Sequence, residues 1–73
     1  MFQVKVRARG RLAKNSRIQM DGAVIALPEG GRVRDLLVEV GMFDEEVREV
    51  TINGRRARLD QALHRDDNVE LRA

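Results

Sequence analysis

The stretch Ala26-Leu27-Pro28-Glu29-Gly30-Gly31-Arg32-Val33-Arg34-Asp35-Leu36-Leu37 changes its hydrophobic period half-way along. Upstream of the change, Ala23 to Leu27 make a short, mostly apolar strand that Pro28 stops, because proline lacks the N–H that a strand interior donates and has a fixed φ. Gly30-Gly31 provide a turn with permissive φ. Downstream, Val33, Leu36, Leu37 and Val40 fall at i, i+3, i+4 and i+7, one face of a helix, while Arg34, Asp35 and Glu39 point away. Gly41 stands where a helix closes with a left-handed residue. A helix of residues 32 to 41 is too brief to stand alone and must lie on a sheet.

The flanking sequence supplies that sheet. Phe2, Val4, Val6 and Ala8 alternate with Gln3, Lys5 and Arg7, the period-2 pattern of a first strand over residues 2 to 8 with one buried face. Residues 10 to 17 lose the alternation and read as a connection with Leu12 turned back to the core; residues 18 to 20 resume an extended course before the turn dipeptide Asp21-Gly22. The pattern leaves open which of the two closes the first hairpin. After an acidic connection, Val50 and Ile52 flank Thr51, and Asn53-Gly54 then separates them from Arg55 to Leu59; Asn-Gly between alternating runs is a strong hairpin signal. Asp66-Asp67-Asn68 form a last turn before a strand at Val69-Glu70-Leu71. The expected fold is α+β: a β-grasp (ubiquitin-like) domain over residues 1 to 73, a mixed sheet of four to five strands with one helix packed across one face. Its expected core is Val4, Val6, Leu27, Val33, Leu36, Leu37, Val40, Ile52, Leu59, Leu63, Val69 and Leu71.

Composition narrows the chemistry. With 73 residues, roughly 60% of the unfolded surface can be buried, so one small aliphatic core has to stabilise the fold. The absence of Cys removes thiolate, redox and zinc-cluster chemistry, and a lone His64 cannot assemble a triad or a metal site, so the expectation is a protein that is not an enzyme and uses no cofactor or metal. The alternating N-terminus and short apolar runs point away from a membrane span or signal peptide and toward a cytoplasmic protein. Both Phe side chains are expected to be buried, Met20 and Met42 to fill the core, and His64 to be exposed between Leu63 and the closing turn.

Residues 26 to 37, followed by Val50-Thr51-Ile52-Asn53-Gly54-Arg55, Leu63 and Asp67-Asn68-Val69-Glu70-Leu71, resemble in order and spacing the ThiS/MoaD sulfur-carrier family, whose signature runs "LPEGATVRDLL" and then "VNGR…L…GDEVEL". The resemblance implies a β-grasp protein whose C-terminal Gly-Gly is adenylated by a partner enzyme and converted to a thiocarboxylate for thiamine or molybdopterin synthesis. Three positions depart from it. Arg32 replaces the Thr or Ser expected at the helix start, which removes a side-chain cap worth roughly 1 kcal/mol unless Gly31 serves. Asp66 replaces a Gly in the closing turn, and the sequence closes on Leu71-Arg72-Ala73 without a terminal Gly-Gly. Two readings follow: a carrier whose tail lies beyond residue 73, or a fold kept as a binding module without thiocarboxylate chemistry. Either docks to a larger protein, an adenylating or cofactor-synthesis enzyme, through its sheet face and Leu71, Arg72 and Ala73, as a monomer or weak dimer.

Charge offers a rival. Residues 1 to 20 carry Lys5, Arg7, Arg9, Arg11, Lys14 and Arg17 and no acid, whereas Asp35, Glu39, Asp44, Glu45, Glu46 and Glu49 face Arg48 alone between residues 35 and 50. With the first strand central in the sheet, Lys5 and Arg7 could form a basic face, joined by Arg56 and Arg58. Leu27-Pro28-Glu29-Gly30 and Ile52-Asn53-Gly54 also resemble the TGS domain, a β-grasp module of tRNA synthetases and stringent-response enzymes, which implies RNA or nucleotide binding by that face. The acidic stretch reads as a solvated loop.

Overall fold

The computed structural model describes residues 1–9 and 22–72. Readings placed on residues 10–21, including Leu12, Met20 and Asp21, and on Ala73 lie outside the described residues. The elements are β1 (Phe2–Arg9), β2 (Ala23–Leu27), α1 (Val33–Glu39), a 3₁₀ turn (Asp44–Glu46), β3 (Glu49–Ile52), β4 (Arg55–Ala57) and β5 (Asn68–Arg72). The five strands form one mixed sheet in the order β2-β1-β5-β3-β4, with β1 and β5 parallel and the other pairs antiparallel. This is the expected β-grasp. β1 is interior as expected, but the middle position belongs to β5.

Alternation decides which way each strand faces. Phe2, Val4, Val6 and Ala8 point inward, and register carries the same side to Leu27 and Ile25 on β2, Val69 and Leu71 on β5, and Val50 and Ile52 on β3. Val33, Leu36, Leu37 and Val40 of the helical segment close over this face, all fully buried. Phe2 and Met42 are buried as expected and Ala8 and Val50 join the core, while Ile52 and Leu59 are only partly buried against it. Phe43 corrects the sequence reading: it is 70% exposed, because the helix has already ended and the chain turns outward into the 3₁₀ turn.

The helix is shorter than expected, and both of its ends have a physical cause. At its C-terminus Gly41, at φ 76°, donates to the Val38 carbonyl at 3.1 Å, and Met42 donates to Leu37 at 2.9 Å, the paired bonds of a Schellman motif. At its N-terminus Arg32, not Gly31, is the capping residue, and its side chain has no acceptor to offer. The lost cap is replaced from outside the helix. The N–H groups of Val33 and Arg34 donate to the carbonyls of Gln61 (3.0 Å) and Leu59 (2.8 Å), and Asp35 Oδ2 accepts the Arg32 N–H at 2.9 Å. Gly31 serves close packing: a Cβ there would lie 3.0 Å from the Pro28 carbonyl oxygen and 3.2 Å from Leu27 Cβ.

The two later turns are tied together. Asn53 (φ 53°) and Gly54 (φ 85°) both take positive φ, which makes the expected hairpin turn a type I′ turn. The Asn53 side chain then reaches the turn into β5: its Nδ2 donates to Asp67 Oδ1 at 3.0 Å, and its Oδ1 accepts the Asn68 N–H at 2.9 Å. Asp67, 9% exposed, accepts the His64 N–H on its other oxygen at 2.8 Å. Asp66 adopts φ 64°, the left-handed conformation that Asp tolerates in place of glycine.

Candidate docking surface

Among the described residues nothing covers the side of the sheet away from the helix. Register places Lys5, Arg7 and Arg9 of β1, Val24 of β2, Asn68, Glu70 and Arg72 of β5, Glu49 and Thr51 of β3, and Arg56 of β4 on this outer face. One row crosses it as Arg7, Glu70, Thr51, Arg56; the next is Arg9, Arg72, Glu49. A shallow depression of about 660 Å³ runs between Lys5, Arg7, Val24, Thr51, Asn68 and Glu70.

Two carboxylates break the basic stripe foreseen from β1. Glu70 takes Arg9 Nε at 3.3 Å and lies 3.7 Å from an Arg72 guanidinium nitrogen, and Glu49 accepts a bond from Arg56 at 3.1 Å. These pairs are part-exposed and add little stability, yet they neutralise much of the charge. Lys5 and Arg7 remain, exposed and without an ion-pair partner among the described residues. Arg56 is thus on the face but paired, and Arg58 lies beyond β4, exposed beside Glu49 and Leu59 at the sheet edge. Reading charge by strand alternation identified the cations; the Glu70 pairing needed the parallel β1–β5 register, which local sequence does not encode.

The end of β5 is the second feature. Leu71 is fully buried and anchors the strand. Arg72 belongs to the strand, one residue further than the alternation suggested, and its carbonyl accepts the Arg48 N–H at 2.8 Å. The central strand is therefore held on both sides up to Arg72, and it points out of the sheet where β1 ends and β3 begins. His64 is exposed, as expected, with Nδ1 3.9 Å from Asp67.

No family model and no curated protein matches the chain. Solved structures do. A protein from Pyrococcus furiosus assigned as molybdopterin converting factor, subunit 1, superposes with a TM-score of 0.79 at 32% identity, over 99% of this chain and 97% of that one. The chain belongs to the ThiS/MoaD-like β-grasp family. Small archaeal modifier protein 1 of Haloferax volcanii shares the fold in two structures, at TM-scores of 0.80 and 0.75 with 16% and 19% identity, covering 99% and 94% of this chain and 97% and 91% of theirs. The segments that resembled the ThiS/MoaD-like family are the structural joints of this domain: Leu27 to Gly31 turn the chain into α1, Asn53-Gly54 close the β3–β4 hairpin, and Asp67-Asn68 begin β5. Among the described residues no helix is long and apolar enough to cross a membrane.

Proposed function

We propose that this chain is a small sulfur-carrier-type protein of the cytoplasm that serves molybdopterin or a related cofactor synthesis by docking to a larger protein, and is not itself an enzyme. The full-length likeness to the Pyrococcus furiosus protein carries the reading. Two features of this chain support it. The outer face leaves Lys5, Arg7 and the exposed apolar Val24 around a shallow depression that no other described residue covers, and β5 presents its end from the middle of a sheet that pairs it on both sides up to Arg72. A central strand held on both sides fixes where the chain leaves the sheet, at Arg72, and this reading has a partner's active site receive it there. The docking residues of this reading are Arg72 and Ala73 with Lys5 and Arg7; Leu71, expected among them from the sequence, is buried and serves as the anchor of the strand, and the partner is an adenylating or cofactor-synthesis enzyme.

Sulfur transfer in this class needs a terminal Gly-Gly, because only glycine lets the backbone thread a narrow adenylating site without a Cβ. The terminal carboxylate attacks ATP to form an acyl adenylate with release of pyrophosphate, and a sulfur donor then displaces AMP. The test uses the product of the complete natural reading frame with the adenylating enzyme, ATP and a sulfur donor. A frame ending in Gly-Gly should give a mass gain equal to one oxygen replaced by sulfur; without that ending, a stable complex and no mass gain is expected. Neither complex nor mass gain overturns the reading. Lys5 and Arg7, without ion-pair partners among the described residues, favour one rival, a TGS-like RNA or nucleotide module, whose mark is RNA affinity that falls steeply with salt and is lost when Lys5, Arg7 and Arg56 are changed together to Glu.

A further inference from the structure

The connection between α1 and β3 carries a patch that the proposed docking leaves unused. Phe43 is 70% exposed, one of two Phe in the whole chain, and Asp44, Glu45 and Glu46 follow it directly on an exposed 3₁₀ turn. None of these three carboxylates makes an ion pair among the described residues. Val38, on the outward side of α1, is 73% exposed. This patch takes no part in lining the outer-face depression.

The depression has the complementary character. Its floor includes exposed Val24, and Lys5 and Arg7 stand beside it as cations without partners among the described residues. One molecule thus bears an aromatic knob beside three carboxylates, and a mixed hollow, its exposed apolar part at Val24 and its one carboxylate Glu70 already paired with Arg9, beside two cations, the three carboxylates and two cations being without ion-pair partners among the described residues.

We propose that a second copy of this chain is the occupant: Phe43 of one molecule enters the outer-face depression of the next, with Asp44, Glu45 and Glu46 against Lys5 and Arg7. The two patches are different surfaces, so the contact is heterologous and propagates head to tail instead of closing as a two-fold dimer. Its contact area is small and its charges are exposed, which makes it weak and salt-sensitive. It covers the face proposed for partner docking, so association and docking exclude each other. The inference rests on this chain alone and does not depend on the sulfur-carrier reading.

Sedimentation velocity of the full chain tests it, at protein concentrations up to about 1 mM and in low and high salt. The expected result is concentration-dependent association at low salt that high salt reverses. Phe43→Ser should weaken it about tenfold. A Lys5→Glu/Arg7→Glu variant keeps the knob but loses the hollow's charge, and an Asp44→Lys/Glu45→Lys/Glu46→Lys variant does the reverse. Each should be monomeric alone, and each also repels its own kind. Mixing neutral versions, Lys5→Gln/Arg7→Gln with Asp44→Asn/Glu45→Gln/Glu46→Gln, should restore a one-to-one pair that does not grow further, because each partner retains one intact half. A wild-type chain that stays monomeric throughout, variants that associate as well as wild type, or a neutral mixture without a pair overturns the proposal.

Discussion

Asp67→Ala removes the carboxylate that joins the β3–β4 turn to the turn into β5. Asp67 is nearly buried and accepts the His64 N–H at 2.8 Å and Asn53 Nδ2 at 3.0 Å. A hydrogen bond to a charged acceptor contributes about 1.5–3 kcal/mol, and an orphaned donor costs a similar amount when water cannot reach it. Asn53 is exposed and can be rehydrated, so the loss falls mainly on the His64 N–H and on the ordering of the turn. The expected destabilisation is about 2–4 kcal/mol, against a total of roughly 4–11 kcal/mol for a domain this size. The midpoint of thermal unfolding should drop by roughly 10–30 °C. The chain has no Trp or Tyr, so far-UV circular dichroism in urea is the suitable assay. A double-mutant cycle with Asn53→Ala isolates the pair and should give a coupling of about 0.5–3 kcal/mol. A loss below about 0.5 kcal/mol, or a cycle without coupling, would refute the claim that this network fastens the β3–β4 hairpin to β5.

Leu36→Ala should cost about 2–5 kcal/mol by leaving a cavity between α1 and the sheet, enough to unfold much of the population, as denaturant titration will show. Gly41→Ala has no steric neighbour within 4 Å, so its cost should be the left-handed backbone alone, about 1–2 kcal/mol in the same assay. Arg32→Ser restores a side-chain cap where neighbouring carbonyls already hold two helix N–H groups, and should stabilise by no more than about 1 kcal/mol in thermal unfolding.

Most of the sheet could be read from the residues because its signals are local. The alternation of Phe2 to Ala8, the stop at Pro28, the i, i+3, i+4, i+7 face from Val33 and the Asn53-Gly54 turn each announce themselves within a few positions. What escaped depends on contacts distant in the chain. The helix start looked uncapped because Leu59 and Gln61 lie more than twenty-five positions away from it. The basic face looked stronger than it is because Glu70 meets Arg9 only through the parallel β1–β5 pairing. Phe43 looked like core because its chemistry is apolar, yet it follows the helix stop at Gly41, and the chain has by then left the covered face. For the docking surface, the residues of β1 and the burial of Leu71 were legible; the central place of β5, which gives its end a fixed exit, was not.

The account turns on docking, and calorimetric titration of the full chain into an adenylating enzyme of the class that activates sulfur carriers tests it most directly. It predicts saturable one-to-one binding that weakens when Lys5 and Arg7 are changed to Glu and survives Phe43→Ser. No heat of binding, or binding indifferent to the outer face, would contradict it.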